Sequence, residues 1–290
     1  MNNFLKKITI IFISVFILAF IADKFFDYFY MNFSNRKVFN SIKKDYDMLV
    51  LGDSRVKHNI IPSQLDSSLG ISSINLGIPS SNPLEILTML KLYLNHFRKP
   101  KIIAVEVYNK IQFISSDVLA RQQFLQYYNS DIISSYFNYS EDVIFYQIPL
   151  YRYTKYRDLG WREFYKTLLK NYNLSISNNK GYSPLDYKEF KENIIDLNNN
   201  EKLDLNNLHI DSLISLCNDE GIKLIFFTSP IYLNKNSKFL NQLEAYLPNY
   251  LNQIDILKEK IYFKDNTHVN HEGAKIQTRH LSNYIKKTFN

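Results

Sequence analysis

Cysteine is almost absent from this sequence: Cys217 stands alone among 290 residues. A single thiol excludes an internal disulfide framework and any cysteine-built metal site. Cys217 lies in an apolar-patterned stretch and reads as a core residue. Tryptophan is equally scarce, at one residue, whereas Tyr and Phe number 22 and 21. No internal repeat is visible, which argues against a solenoid or a propeller. Nor is there a Lys/Arg-dense helix, a finger or an RNA-binding signature. The formal charge of +7 and the pI of about 9.1 therefore do not point to nucleic acid. They fit a solvated lysine-rich surface, with anionic lipid or glycan as the remaining charged partners. Charged residues make up 22% and hydrophobic residues 46%, the balance of a globular protein with a sizeable core.

One apolar run is long. Lys6 and Lys7 precede residues 8–22, which only Thr9 and Ser14 interrupt. Asp23 and Lys24 follow, then Phe25, Phe26, Tyr28, Phe29 and Tyr30, where an aromatic interface belt would stand. The strict run is shorter than the ~20 residues of a full span, and the flanking aromatics and the stem of Lys7 extend it. A cleaved signal peptide is the rival reading. Ala22 suits a cleavage site, but Phe20 at the partner position does not. The expectation is an uncleaved signal anchor over residues 1–31, touching membrane lipid through residues 8–22. Residues 32–45, polar and basic, read as a linker, and 46–290 as the folded domain. Arg36, Lys37, Lys43 and Lys44 beyond the run leave orientation open. A long following domain translocates largely regardless of such charges, so an outside-facing domain is expected.

The domain opens with Met-Leu-Val-Leu, residues 48–51, running into Gly52, Asp53 and Ser54. An unbroken apolar run closed by turn residues predicts a buried strand of a parallel sheet, with ligands beyond its carboxyl end. Pro62 opens a short helix. A second strand at 73–76 ends at Gly77. Asn82, Pro83 and Glu85 form a helix-start signature, and the helix runs to about Phe97. A third strand occupies 101–108. From 110 to about 205 the pattern loosens into an aromatic- and Asn-rich insertion containing Trp161, with helical pieces near 116–128, 158–171 and 187–197. Its aromatic rings either stack on sugar faces or form their own core. Alternation then resumes: a helix at 205–219 stopped by Gly221, a strand at 223–228, a helix at 237–251 and a terminal helix carrying Ala274, Thr278, Leu281 and Ile285 on one face. Strand–helix alternation predicts an α/β fold with a parallel sheet covered on both faces.

Ser54 stands where a nucleophile would, but a hydroxyl needs a base. Asp265 and His268, three residues apart just before the last helix, supply types suited to a serine triad: a His facing the hydroxyl, oriented by a carboxylate. Arg55 either binds an anionic substrate group or ties down the loop. His58 reads as structural or exposed. Asp265, His268 and His271 also have metal-ligand types, but a metal centre would leave Gly-Asp-Ser unexplained, so no metal is expected.

Gly52-Asp53-Ser54 and Asp265-Asn266-Thr267-His268 resemble the first and last blocks of the SGNH (GDSL-type) hydrolase superfamily. Asn75-Leu76-Gly77 resembles its second block. The third block, a Gly-x-Asn-Asp-like turn, is met only by Glu106-Val107-Tyr108-Asn109, without the glycine. The resemblance covers roughly residues 46–108 and 222–289. It implies a three-layer flavodoxin-like fold, Ser54 as nucleophile, His268 as base and Asp265 as its orienting acid. It further implies an oxyanion hole from Ser54, Gly77 and Asn109, with Asp53 and Arg55 as substrate contacts and no cofactor. The layout of anchor, linker and outer domain is similar to the membrane-anchored SGNH-like proteins of cell-surface polymer acylation. That implies an O-acyl esterase or O-acyltransferase, acetyl first, on a bacterial envelope polysaccharide, with a multi-pass membrane O-acyltransferase as partner. A non-catalytic glycan-binding or assembly protein of the envelope is the alternative.

Overall fold

Apolar β-rich runs at three places, the short strand Ser73–Asn75 and a two-residue piece at a fifth place assemble into one sheet. The computed structural model describes residues 2–34, 37–138, 143–155, 164–165, 169, 179–186, 190, 205–232 and 237–289. The strands are β1 (Met48–Leu51), β2 (Ser73–Asn75), β3 (Ile102–Glu106), β4 (Lys223–Phe227) and β5 (Tyr250–Leu251). The described helices are α1 (Asn2–Asn32), α2 (Ser54–Asn59), α3 (Pro62–Leu69), α4 (Pro83–His96), α5 (Val118–Arg121), α6 (Asp131–Asn138), α7 (Tyr151–Lys155), α8 (Leu208–Asp219), α9 (Ser237–Tyr246) and α10 (His271–Phe289).

All strand pairs are parallel, in the order β2-β1-β3-β4-β5. The chain steps from β1 to β2, then returns past β1 to β3. At that reversal the connections leave in opposite directions, and a crevice opens beyond the carboxyl ends of β1 and β3. Successive strand residues serve opposite faces. Leu49, Leu51, Ile103, Val105 and Phe226 join a core with Leu87 and Leu90 of α4, Leu213 of α8 and Leu243 of α9. Met48, Val50, Ala104, Ile225 and Phe227 join a second core with Val56 of α2, Leu65 of α3 and Leu281 and Ile285 of α10. The sheet is thus apolar on both sides and covered on both sides, as the unbroken runs required. Cys217 is a buried member of the first core.

The helix expected over 237–251 ends at Tyr246. Pro248 stops it, Asn249 turns the chain at a positive φ of 49°, and Tyr250–Leu251 pairs with β4 as the edge strand. The stretch at 116–128 is helical as α5 followed by a 3₁₀ turn, Gln122–Tyr127. The helices expected at 158–171 and 187–197, and Trp161, lie outside the described residues apart from Phe164, Tyr165, Leu169 and Phe190. Where the insertion is described, Phe124, Tyr136, Phe137, Tyr146 and Tyr153 are buried in the first core, not offered to a sugar.

α1 has two halves. Its apolar part is long enough to cross a membrane or to act as a signal sequence: an 18-residue window has a mean hydropathy of 2.4 and no buried residue. From Asp23 onward it packs on the domain. Asp23, Phe26, Asp27, Phe29 and Tyr30 are buried, so three of the five aromatics read as an interface belt are core residues instead. Residues 32–45, read as a linker, carry a 3₁₀ turn (Val38–Ser41) and bury Val38 and Ile42. The polar composition concealed these few apolar contacts.

Candidate active site

β1 runs into Gly52, whose φ of 154° and cramped surroundings suit only glycine: a Cβ there would lie 2.5 Å from Val56 Cγ2 and 2.9 Å from Glu106 Cβ. Asp53 caps α2, its Oδ1 accepting from the Arg55 N–H at 2.8 Å. Ser54 is the first residue of that helix, at the mouth of the crevice. Its own N–H is one of the amides that a helix start leaves without an intrahelical acceptor.

The partner loop is closed by the isolated bridge between Phe263 and Val269 and by the Lys264 N–H donating to the His268 carbonyl at 2.8 Å. Inside it, Asp265 Oδ1 accepts from the backbone N–H of Thr267 and of His268, both at 2.9 Å. The carboxylate is fixed before it meets the imidazole. His268 Nδ1 lies 3.0 Å from each Asp265 oxygen, and His268 Nε2 lies 2.9 Å from Ser54 Oγ. An ionised carboxylate only accepts, so the proton sits on Nδ1 and Nε2 is left to accept from the Ser54 hydroxyl. Burial pushes the Asp265 carboxyl up, but the hydrogen bond and charge of His268, with the two amides, outweigh it and hold the group at about 2. The structure thus brings together the three residues expected to act together.

His58 backs this line. Its ring meets His268 edge to face at 5.7 Å, and its Nδ1 donates to the Ser183 carbonyl at 2.7 Å. Burial pushes it down to about 4, with the neighbouring His268 acting in the same direction, so His58 is neutral near pH 7. The sequence pattern did not reveal this packing, because residues 179–186 reach α2 from the insertion.

Asp53 and Arg55 face each other, not open solvent. Arg55 Nη2 lies 3.1 Å from Asp53 Oδ2 and 3.2 Å from Glu106 Oε2, and the guanidinium lies 5.2 Å from the Tyr108 ring centre. Arg55 is 5% exposed and Glu106 2%. Of the two roles left open for Arg55, the loop tie is the one these contacts fill. Burial pushes the Glu106 carboxyl up, against the pull of Arg55. Glu106 had no assigned role in the sequence, although a carboxylate directly after Ile-Ile-Ala-Val is the signal that marks it.

The side on which an oxyanion hole is expected is less complete. At Gly77 a Cβ would lie 2.4 Å from Lys57 N and 2.9 Å from Asp53 O, so glycine lets the end of β2 pass against α2. The Gly77 N–H, however, donates to Asn75 Oδ1 at 3.0 Å. Asn75 also holds α2, its Nδ2 donating to the carbonyls of Val56 at 2.6 Å and Ile60 at 2.8 Å. Asn109 opens a 3₁₀ turn, Asn109–Gln112, just after β3, and its side chain lies outside the described residues. His271 Nδ1 meets the Tyr182 hydroxyl at 2.9 Å. Among the described residues, no three His, Cys, Asp or Glu side chains converge as a metal site.

Neither a scan against protein-family models nor a search of curated proteins finds a match for this chain. The functional reading rests on the chemistry of the site.

Proposed function

We propose that this chain is an SGNH-type serine O-acyl esterase or O-acyltransferase, with a three-layer flavodoxin-like domain and an envelope polysaccharide as the substrate. The observation that carries the reading is the unbroken line Asp265 carboxylate, His268 imidazole, Ser54 hydroxyl. The strand order, which flavodoxin-like sheets share, and the position of Ser54 at its switch point support it.

Ser54 Oγ attacks the ester carbonyl while His268 Nε2 takes its proton. Asp265 stabilises the imidazolium, which then protonates the departing alcohol. An acyl-serine remains, acetyl being the proposed group. Water releases it in an esterase, and a sugar hydroxyl releases it in a transferase, with His268 again taking the proton. The Ser54 N–H is the first oxyanion donor. Gly77 becomes the second if its amide turns from Asn75, and Asn109 is the proposed third. One such donor is typically worth about 2.7–4 kcal/mol of transition-state stabilisation. With α1 as anchor, the domain faces outward beside a multi-pass acyltransferase that hands it the acyl group.

One observation favours the non-catalytic alternative, a glycan-binding envelope protein: the Gly77 amide is already engaged. Acetyl release from p-nitrophenyl acetate separates the two. The enzyme reading expects turnover by the full chain that Ser54→Ala abolishes; equal rates for both proteins contradict it.

A further inference from the structure

The C-terminal half of α1 is built into the domain by a buried charge cluster. Arg152 is fully buried, with Nη2 2.8 Å from Asp23 Oδ2 and 2.6 Å from Asp27 Oδ1. Its guanidinium lies 3.9 Å from the Tyr128 ring centre, and the Tyr153 hydroxyl donates to Asp27. Leu150 adopts a left-handed backbone, φ 65°, which is unfavourable for a leucine, and its N–H donates to Asp23 Oδ1 at 2.8 Å. Phe26, Phe29 and Tyr30 close the same face against Tyr153 and Phe164. A helix fixed in this way is not a flexible tether, because moving it would strand buried charges.

This fixes a level. The helical residues 8–22 rise about 22 Å, and the stems of Lys6 and Lys7 extend that toward the ~30 Å of a bilayer's hydrocarbon core. A buried, domain-bound Asp23 marks where that core must end. Next to Leu150, which bonds Asp23, the domain presents apolar side chains to the outside: Phe145 is 45% exposed and Ile148 51%, in the turn that leads to Leu150, and Phe25 of α1 is 52% exposed. Lys24 lies over the Phe20 and Tyr128 rings, at 5.5 and 5.7 Å, and 3.5 Å from Asp27 Oδ2, so its charge is held where the apolar part of α1 ends. The occupant is argued from continuity: the patch adjoins the emerging apolar helix, so the surface that covers one covers the other.

We propose that residues 145–151, with Phe25, seat the domain directly on the lipid bilayer, so that α1 sets the height and orientation of Ser54 above the membrane. The inference rests on α1 spanning the membrane, and the test separates the two. The full chain in lipid nanodiscs carries a nitroxide on Ile13→Cys in α1, on Ile148→Cys in the seat, or on Asn283→Cys on α10, across the sheet from α1. Cys217 does not interfere, because its thiol is buried and burial pushes it up to about 12. The readout is collision with oxygen, which favours lipid, against a water-soluble nickel complex. Lipid-like values at Ile13 and Ile148, several-fold above Asn283, are the expected result. A lipid-like Ile13 with Ile148 as aqueous as Asn283 overturns the seat and spares the anchor. An aqueous Ile13 overturns both. Phe145→Cys repeats the measurement should Ile148→Cys fold poorly.

Discussion

The two sides of the Ser54 site are finished to different degrees. On the His268 side, every side-chain polar atom of Asp265 and His268 has a hydrogen-bond partner, and the line ends on Ser54. On the oxyanion side, Gly77 presents its amide to Asn75 instead of the crevice. The Asp265–His268 pair lies within one short loop, where Asp265, Thr267 and His268 fix one another. The oxyanion side depends on three segments, the ends of β1, β2 and β3, meeting at the correct spacing. A relay can be complete at rest; an oxyanion hole made of shared backbone must give up an existing hydrogen bond when charge develops. On the acyl-serine reading, catalysis is limited by the second side.

The largest effect should come from breaking the relay. Ser54→Ala should lower the ester hydrolysis rate by about 10⁶ and Asp265→Asn by about 10⁴, the costs of such removals in serine triads. Steady-state hydrolysis of a soluble ester checks both. Next is the tie beneath the site. Arg55→Met leaves the Asp53 carboxylate and the buried Glu106 carboxyl without the cation that both face and should cost about 3–5 kcal/mol of stability. Adding Glu106→Gln should recover part of it in denaturant unfolding. Gly77→Ala drives a methyl into the Lys57 amide and should cost roughly 1–3 kcal/mol as overpacking does, while moving Ser54 away from His268. Its activity should therefore fall more than its stability does.

The last effect concerns pH and is nil at neutral pH. His58 is held at about 4 when folded, below the ordinary 6.5. The unfolded chain therefore binds more protons between these values, and stability should fall as pH drops through that window. His58→Gln should flatten the slope between pH 6.5 and 4, which unfolding midpoints measured along the pH scale will show.

Much of this was legible locally. The runs at β1 and β4, the Asn82-Pro83-Glu85 helix start and the loop pair Asp265 and His268 announce themselves within a few residues. What escaped depends on partners far along the chain. Arg152 meets Asp23 and Asp27 across more than a hundred residues, and nothing in Tyr-Arg-Tyr marks it as buried. β5 is two residues long and was hidden behind a helical pattern that Pro248 cuts. Gly77 was recognisable as a needed glycine, but the destination of its amide was not, because Asn75 satisfies it only once β2 is paired.

The most direct test of the central claim is labelling of the full chain with a serine-reactive fluorophosphonate, mapped by peptide mass spectrometry. An activated triad should give one adduct, on Ser54, that is absent from Ser54→Ala and sharply slowed in Asp265→Asn. No adduct on the unmodified chain, or the same labelling in Ser54→Ala, would contradict an acyl-serine mechanism.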